Sequence, residues 1–147
     1  MDKMKFVNYI VLLVRLVLVA AFLLAAIPKI QDPVAFAISV ESYRILTGQA
    51  VLWVALVLPW LELIIGLGLL VPKVRRASSL LIILLLFIFI GLHASAWIRG
   101  LDINCGCYAI ENVSSNYFLL ISRNCALIIA AVFVLTRDWR NQAQNGE

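Results

Sequence analysis

Residues 50–71 read AVLWVALVLPWLELIIGLGLLV, and Glu62 is their only charge. At 1.5 Å per residue a helix of that length spans about 33 Å, and a bilayer core about 30 Å thick needs about 20 apolar residues. Three further stretches meet the same demand: Phe6 to Ile27 with Arg15 as its only charge, Ser78 to Ile98 with His93 and no formal charge, and Asn116 to Leu135 with Arg123. Backbone groups in lipid must bond within their own segment, which selects helices over open strands. Composition agrees: of 147 residues, 64% are hydrophobic and 14% charged, against roughly half and a quarter in soluble domains. That much apolar surface excludes disorder. The twelve Lys and Arg are scattered in short groups, with no basic helix or aromatic platform to follow a nucleic acid, so no nucleic-acid partner is expected. The expected fold class is all-α, one integral membrane four-helix bundle over residues 1–147, with the lipid bilayer as its surroundings.

Positive charges near the helix ends set the expected orientation. With the N-terminus cytoplasmic, that side receives Lys3, Lys5, Lys73, Arg75, Arg76, Arg137 and Arg140, and the other side only Lys29, Arg44 and Arg99. Both termini are then inside. Trp53, Trp97, Tyr108 and Tyr117 fall near the outer interface, Tyr9 and Trp139 near the inner one. The first apolar run is about 21 residues, longer than the 7–15 of a signal-peptide core, and is expected to stay as a span. Asn112-Val113-Ser114 matches a glycosylation acceptor, a common chance match.

Two outer segments remain. Asp32-Pro33 is a helix start, with an N-cap followed by proline at the first helical position. Thr47-Gly48 reads as the stop, giving a helix over about 33–46, too short to cross. Ala37, Glu41 and Arg44 share one arc of it and the rest is mostly apolar, which suits a helix in the outer interface or tucked against the bundle. Residues 141–147 read as a loose polar tail. The other outer segment, Arg99 to Asn116, carries Cys105-Gly106-Cys107. Two thiols at that spacing can bridge across a short strained ring, which favours reduction and exchange, and the outer side is where disulfides persist. A redox-active pair, a structural staple, and metal binding or idle thiols are the competing readings. Metal is the weakest, since two thiolates want two more ligands and the loop has no His.

Charges inside the spans are costly and need partners. Arg15 and Glu62 each lie about nine residues from the expected inner end of their runs. They read either as a buried ion pair fixing the first two spans or as part of a polar pocket for a proton or a quinone headgroup. Pro59 removes a helical hydrogen bond next to Glu62, and Gly66 and Gly68 permit close helix approach. His93 and Arg123 lie one to two turns below the cysteine loop. His93 either exchanges protons near neutral pH or bonds a neighbouring helix. Arg123 either lowers a thiol pKa or snorkels outward. Cys125, mid-helix, behaves as a small apolar residue.

The order of these pieces resembles the DoxX-like membrane proteins, most closely the branch related to the methylamine utilisation protein MauE. The matching residues are Arg15, Lys29-Ile30-Gln31-Asp32-Pro33 with Phe36 and Tyr43, Leu58-Pro59-Trp60-Leu61-Glu62-Leu63 with Gly66, and Gly100 leading to Cys105-Gly106-Cys107. Tyr108-Ala109 stands where that family typically has Phe-Gly. The resemblance implies a DoxX-like four-helix bundle with a short outer interfacial helix in the bacterial cytoplasmic membrane. It also implies a role in redox maturation of extracytoplasmic proteins, or as membrane partner of a quinone-linked oxidoreductase. The expected activity is thiol–disulfide exchange by Cys105 and Cys107 as catalytic residues. The candidate proton or quinone pocket is Arg15, Glu62, His93 and Arg123, with quinone the candidate cofactor and no metal. The expected partner is a periplasmic thioredoxin-like or cysteine-rich client, in a homo-oligomer or larger membrane complex. The alternative is a non-catalytic anchor or assembly subunit whose cysteines staple a loop.

Overall fold

The computed structural model describes residues 2–101 and 117–145, with side chains over 5–101 and 117–140. The described residues are helical, with no strand among them: α1 (Asp2–Gln31), α2 (Pro33–Ser42), α3 (Gln49–Gly68), α4 (Arg75–Ile98) and α5 (Tyr117–Asn145). All but α2 are long and apolar enough to cross a membrane. The helices begin and end where polar chemistry permits, not where the apolar runs stop. Thus α1 continues through Pro28 to Gln31, and α5 continues beyond Leu135 through Arg137 and Asp138.

The main packing is α1 on α3 and α4 on α5, with α1 also against α5 and α3 against α4. One core joins them: Leu18, Val19 and Phe22 from α1, Ile65 from α3, Ile82 and Leu86 from α4, and Ala131 and Val134 from α5. Apolar side chains such as Leu13, Ile64, Leu84, Phe87, Phe118 and Ile129 point outward and are exposed, the inverse of a soluble bundle and the arrangement lipid requires. Trp53 and Trp97 are exposed towards one end, Tyr9 and Trp139 towards the other.

The sharp start of α2 follows from Asp32. Its carboxylate accepts the Ala35 N–H at 2.9 Å, and Pro33 occupies the first turn, where a missing N–H is harmless. The stop differs from the expected Thr47-Gly48. The helix ends at Ser42, because Arg44 takes a left-handed φ of 53° and its N–H closes on the Glu41 carbonyl at 2.9 Å. Gly48, at φ 62°, is instead the N-cap of α3. A glycine able to reach positive φ serves either end of a helix, and here a turn four residues upstream had already ended the first one.

Close approach of α1 and α3 depends on Gly66. A Cβ there would lie 3.0 Å from the Phe22 Cβ, which is tighter than side chains tolerate without movement. Helices in lipid associate through such packing, since lipid is as apolar as their own surfaces. Gly66→Leu is therefore expected to separate α1 from α3 and to lower stability by about 1–3 kcal/mol, the usual range for overpacking. Thermal unfolding in detergent measures this, and an unchanged midpoint would mean the two helices do not pack through Gly66.

Candidate functional site

Lys29 lies in the last turn of α1, beyond the apolar run, and Glu62 lies in α3 just past Pro59. The Lys29 Nζ donates to both Glu62 carboxylate oxygens at 2.8 Å. The two residues are 3% and 1% exposed, so this ion pair is sealed from the surroundings. The same ammonium lies 5.0 Å from the centre of the Phe36 ring of α2 and 5.5 Å from that of Phe89 of α4. Ring faces attract cations, and more strongly when desolvated. Four helices thus converge on one charged nitrogen.

The expected pairing of Arg15 with Glu62 is corrected here. The Arg15 Nη2 donates to Asp138 Oδ1 at 2.9 Å, and Arg75 Nη1 lies 3.7 Å from that oxygen. Counted at 1.5 Å per residue from the contact between Phe22 and Gly66, Arg15 and Glu62 sit about 16 Å apart along the bundle. The depth argument assumed that the apolar runs end level with each other. They do not, because α1 extends past the α3–α4 turn at one end and reaches Lys29 at the other. A lone buried Glu62 called for a cation, and Lys29, behind Pro28 on a helix that continues, was the available one.

A cavity of about 110 Å³ adjoins the pair. Its polar lining is Lys29, Glu62, His93, Arg123 and Asn124, and the rest is apolar, including Phe22, Phe89 and Leu127. Of the four pocket residues expected from sequence, Glu62, His93 and Arg123 therefore share one cavity and Arg15 does not. The His93 Nδ1 is hydrogen-bonded to the Phe89 carbonyl, and its ring meets Tyr43 edge-on with centres 6.0 Å apart. Asn124, which sequence reasoning passed over beside Arg123, is 2% exposed, and its Nδ2 has no hydrogen-bond partner among the described residues. A second cavity, of about 100 Å³, shares Lys29, Phe89 and His93 with the first and lies under α2. Cys125 is exposed on α5 and lines neither cavity.

At the α2 end, the Arg99 Nη2 donates to the Tyr43 carbonyl, and the Tyr117 hydroxyl donates to the Leu101 carbonyl. The second bond holds together the two ends of the segment that carries Cys105 and Cys107. Those two cysteines themselves lie outside the described residues, as does the Asn112 acceptor motif. Chemically, the bundle offers an internally neutral ion pair, an imidazole and amide and guanidinium donors around a space otherwise walled by hydrocarbon.

The family described as methylamine utilisation protein MauE matches residues 7–137. The chain is 34% identical over 119 residues to the methylamine utilization protein MauE of Methylorubrum extorquens, covering 80% of this chain and 64% of that one. It is 31% identical over 123 residues to that of Paracoccus denitrificans, covering 83% and 66%. For Methylophilus methylotrophus the identity is 39% over 97 residues, covering 65% and 49%. The chain thus spans less than two thirds of the length of these relatives. No solved structure matches it significantly.

Breaking a buried pair leaves an unmatched charge and costs about 3–5 kcal/mol, whereas replacing both partners by apolar groups is often near neutral. Lys29→Met and Glu62→Leu are each expected to be destabilising on that scale, and the double variant to recover most of the loss. Unfolding midpoints of the four proteins in one detergent measure the coupling. Additive losses would show that the two side chains do not depend on each other.

Proposed function

This chain belongs to the MauE family, and from that premise we propose that it is an accessory membrane protein of methylamine utilisation, acting by thiol–disulfide exchange at Cys105 and Cys107. Its fold in this reading is a DoxX-like bundle in the bacterial cytoplasmic membrane, with both termini inside and the cysteine segment outside. The excess of Lys and Arg at the end holding Lys73, Arg75 and Arg76 supports that orientation.

The observation that carries the reading is the Cys105-Gly106-Cys107 spacing in a segment whose ends meet at the Tyr117–Leu101 hydrogen bond. A short, polar, tethered segment between two membrane spans suits a thiol pair that must meet an extracytoplasmic client. In the exchange, a client thiolate attacks the Cys105–Cys107 disulfide and forms a mixed disulfide, expelling one cysteine as thiolate. The client's second thiolate then attacks the mixed bond, leaving an oxidised client and a reduced cysteine pair. Reoxidation of that pair releases two electrons and two protons, which a quinone takes up to become a quinol. The client is a thioredoxin-like or cysteine-rich extracytoplasmic protein, and Glu62, His93 and Arg123 line the polar interior through which protons would be exchanged.

Cys107→Ser is expected to accumulate a mixed disulfide with an extracytoplasmic protein in intact cells. The parent pair is expected to react with a membrane-impermeant maleimide only after mild reduction. A bond that resists mild reduction and captures nothing would make the pair a structural staple. Labelling that requires permeabilised cells would reverse the orientation.

A further inference from the structure

We propose that the cavity beside the Lys29–Glu62 pair binds the carbonyl end of a small lipid-soluble molecule, with the Asn124 side-chain amide as the donor that holds it. This deepens the redox reading, and rests on it only for what the bound molecule would then do.

The argument begins with an unmet hydrogen bond. Asn124 is 2% exposed, on α5 at the depth of the cavity, and lines it. Its Nδ2 donates to nothing among the described residues. In hydrocarbon an unsatisfied amide costs several kcal/mol on the harsher transfer scales, and each such group in a folded protein calls for a partner. The complement of an N–H donor is an oxygen acceptor.

Charge narrows the choice to a neutral acceptor. Both oxygens of Glu62 are held by Lys29 at 2.8 Å, so that pair is already balanced. An ammonium entering the cavity would face Lys29 and Arg123. A carboxylate, although Arg123 also lines the space, would face Glu62 and have to be stripped of its water, whereas a neutral acceptor brings no charge to desolvate. A carbonyl oxygen faces neither penalty. His93 adds no competing demand through Nδ1, which is engaged with the Phe89 carbonyl.

Size and polarity fix the rest of the molecule. The cavity holds about 110 Å³, near the scale of a dry engineered cavity of about 150 Å³ that takes up benzene. Phe22, Leu86, Phe89 and Leu127 supply apolar walls, and a site of this kind, apolar with a few convergent polar groups, is the usual form of a small-molecule site. On the far side of Lys29, Phe89 and His93, the second cavity adds about 100 Å³ walled by Val40, Leu46, Val54 and Leu58. A quinone ring and an acyl ester both carry this chemistry.

The test uses the purified full chain in detergent, titrated calorimetrically with a one-isoprene benzoquinone and, separately, with dioctanoylglycerol. Saturable binding of at least one probe is expected, and the preferred probe identifies the source of the carbonyl. Asn124→Leu should weaken that binding at least tenfold while leaving the unfolding midpoint of the ligand-free protein unchanged or raised, because an orphan donor has been removed. Ala25→Leu, which fills the same cavity from α1 and leaves every polar side chain of the lining in place, should also abolish binding. Failure of both probes to bind, or undiminished binding in Asn124→Leu, would overturn the proposal. The Cys105→Ser/Cys107→Ser protein is expected to bind as the parent does, so a failed mixed-disulfide trap beside intact binding would remove the exchange reaction and leave this site standing.

Discussion

A charge in hydrocarbon must be matched, and the rest of this bundle is arranged around that constraint. Lys29 and Glu62 come from antiparallel helices and are almost completely buried. Their match requires α1 to carry on past Pro28 and α3 to present Glu62 at one depth. Phe36 and Phe89 then close over the ammonium, which brings α2 and α4 to the same point. Because apolar helices slide past one another in lipid with little penalty, a bidentate contact at 2.8 Å sets their register more sharply than the leucine surfaces can. The Arg15–Asp138 contact, with Arg75 beside it, does the same at the other end for α1, α4 and α5.

Between those two polar knots, small residues let the helices come close enough for the charges to meet. Gly66 allows α1 to pack on α3 at Phe22, and a side chain at Gly68 would run into the Ser78 hydroxyl where α4 begins. With Gly66 enlarged, α1 and α3 would stand further apart and Lys29 would have to reach across the gap; with Gly68 enlarged, the start of α4 would be pushed from α3. Packing and electrostatics are therefore one arrangement here: the close contact permits the ion pair, and the ion pair fixes where the close contact falls.

The four spans were legible in the sequence because length and hydropathy decide them, and Asp32-Pro33 was legible because capping is local chemistry. The partners of the buried charges were not. Arg15 and Glu62 look level when depth is counted from the ends of apolar runs, but α1 and α5 both continue as helix through polar residues, which displaces the true register. The end of α2 was hidden for a related reason: Arg44 accepts a left-handed backbone, an unfavoured choice for a side chain with a Cβ, and so left no glycine to mark it. Asn124 escaped notice because a single polar residue beside an arginine in an apolar run has no periodicity. Its importance comes from burial and from what surrounds it, and neither is written in the order of residues.

A buried ion pair is weak evidence of a need for stability, since well-packed apolar side chains can usually replace it without loss. The Lys29–Glu62 pair therefore invites a second question, about what a neutral but strongly polar group does at that depth. Both residues border the first cavity and Lys29 also borders the second, each otherwise walled mostly by apolar side chains. The amide of Asn124, unsatisfied among the described residues, lines the first with them. Remove the pair in favour of leucine and methionine, and the helices could still pack, but the first cavity would lose its ion pair and keep only His93, Arg123 and Asn124 as polar lining. With the pair in place, a polar head group finds a fixed dipole beside the donors of Asn124 and Arg123, and an apolar group finds hydrocarbon walls. The same chemistry that fixes the register of α1 on α3 thereby creates, between the helices it joins, a place in the membrane where an otherwise lipid-soluble molecule can be held by one end.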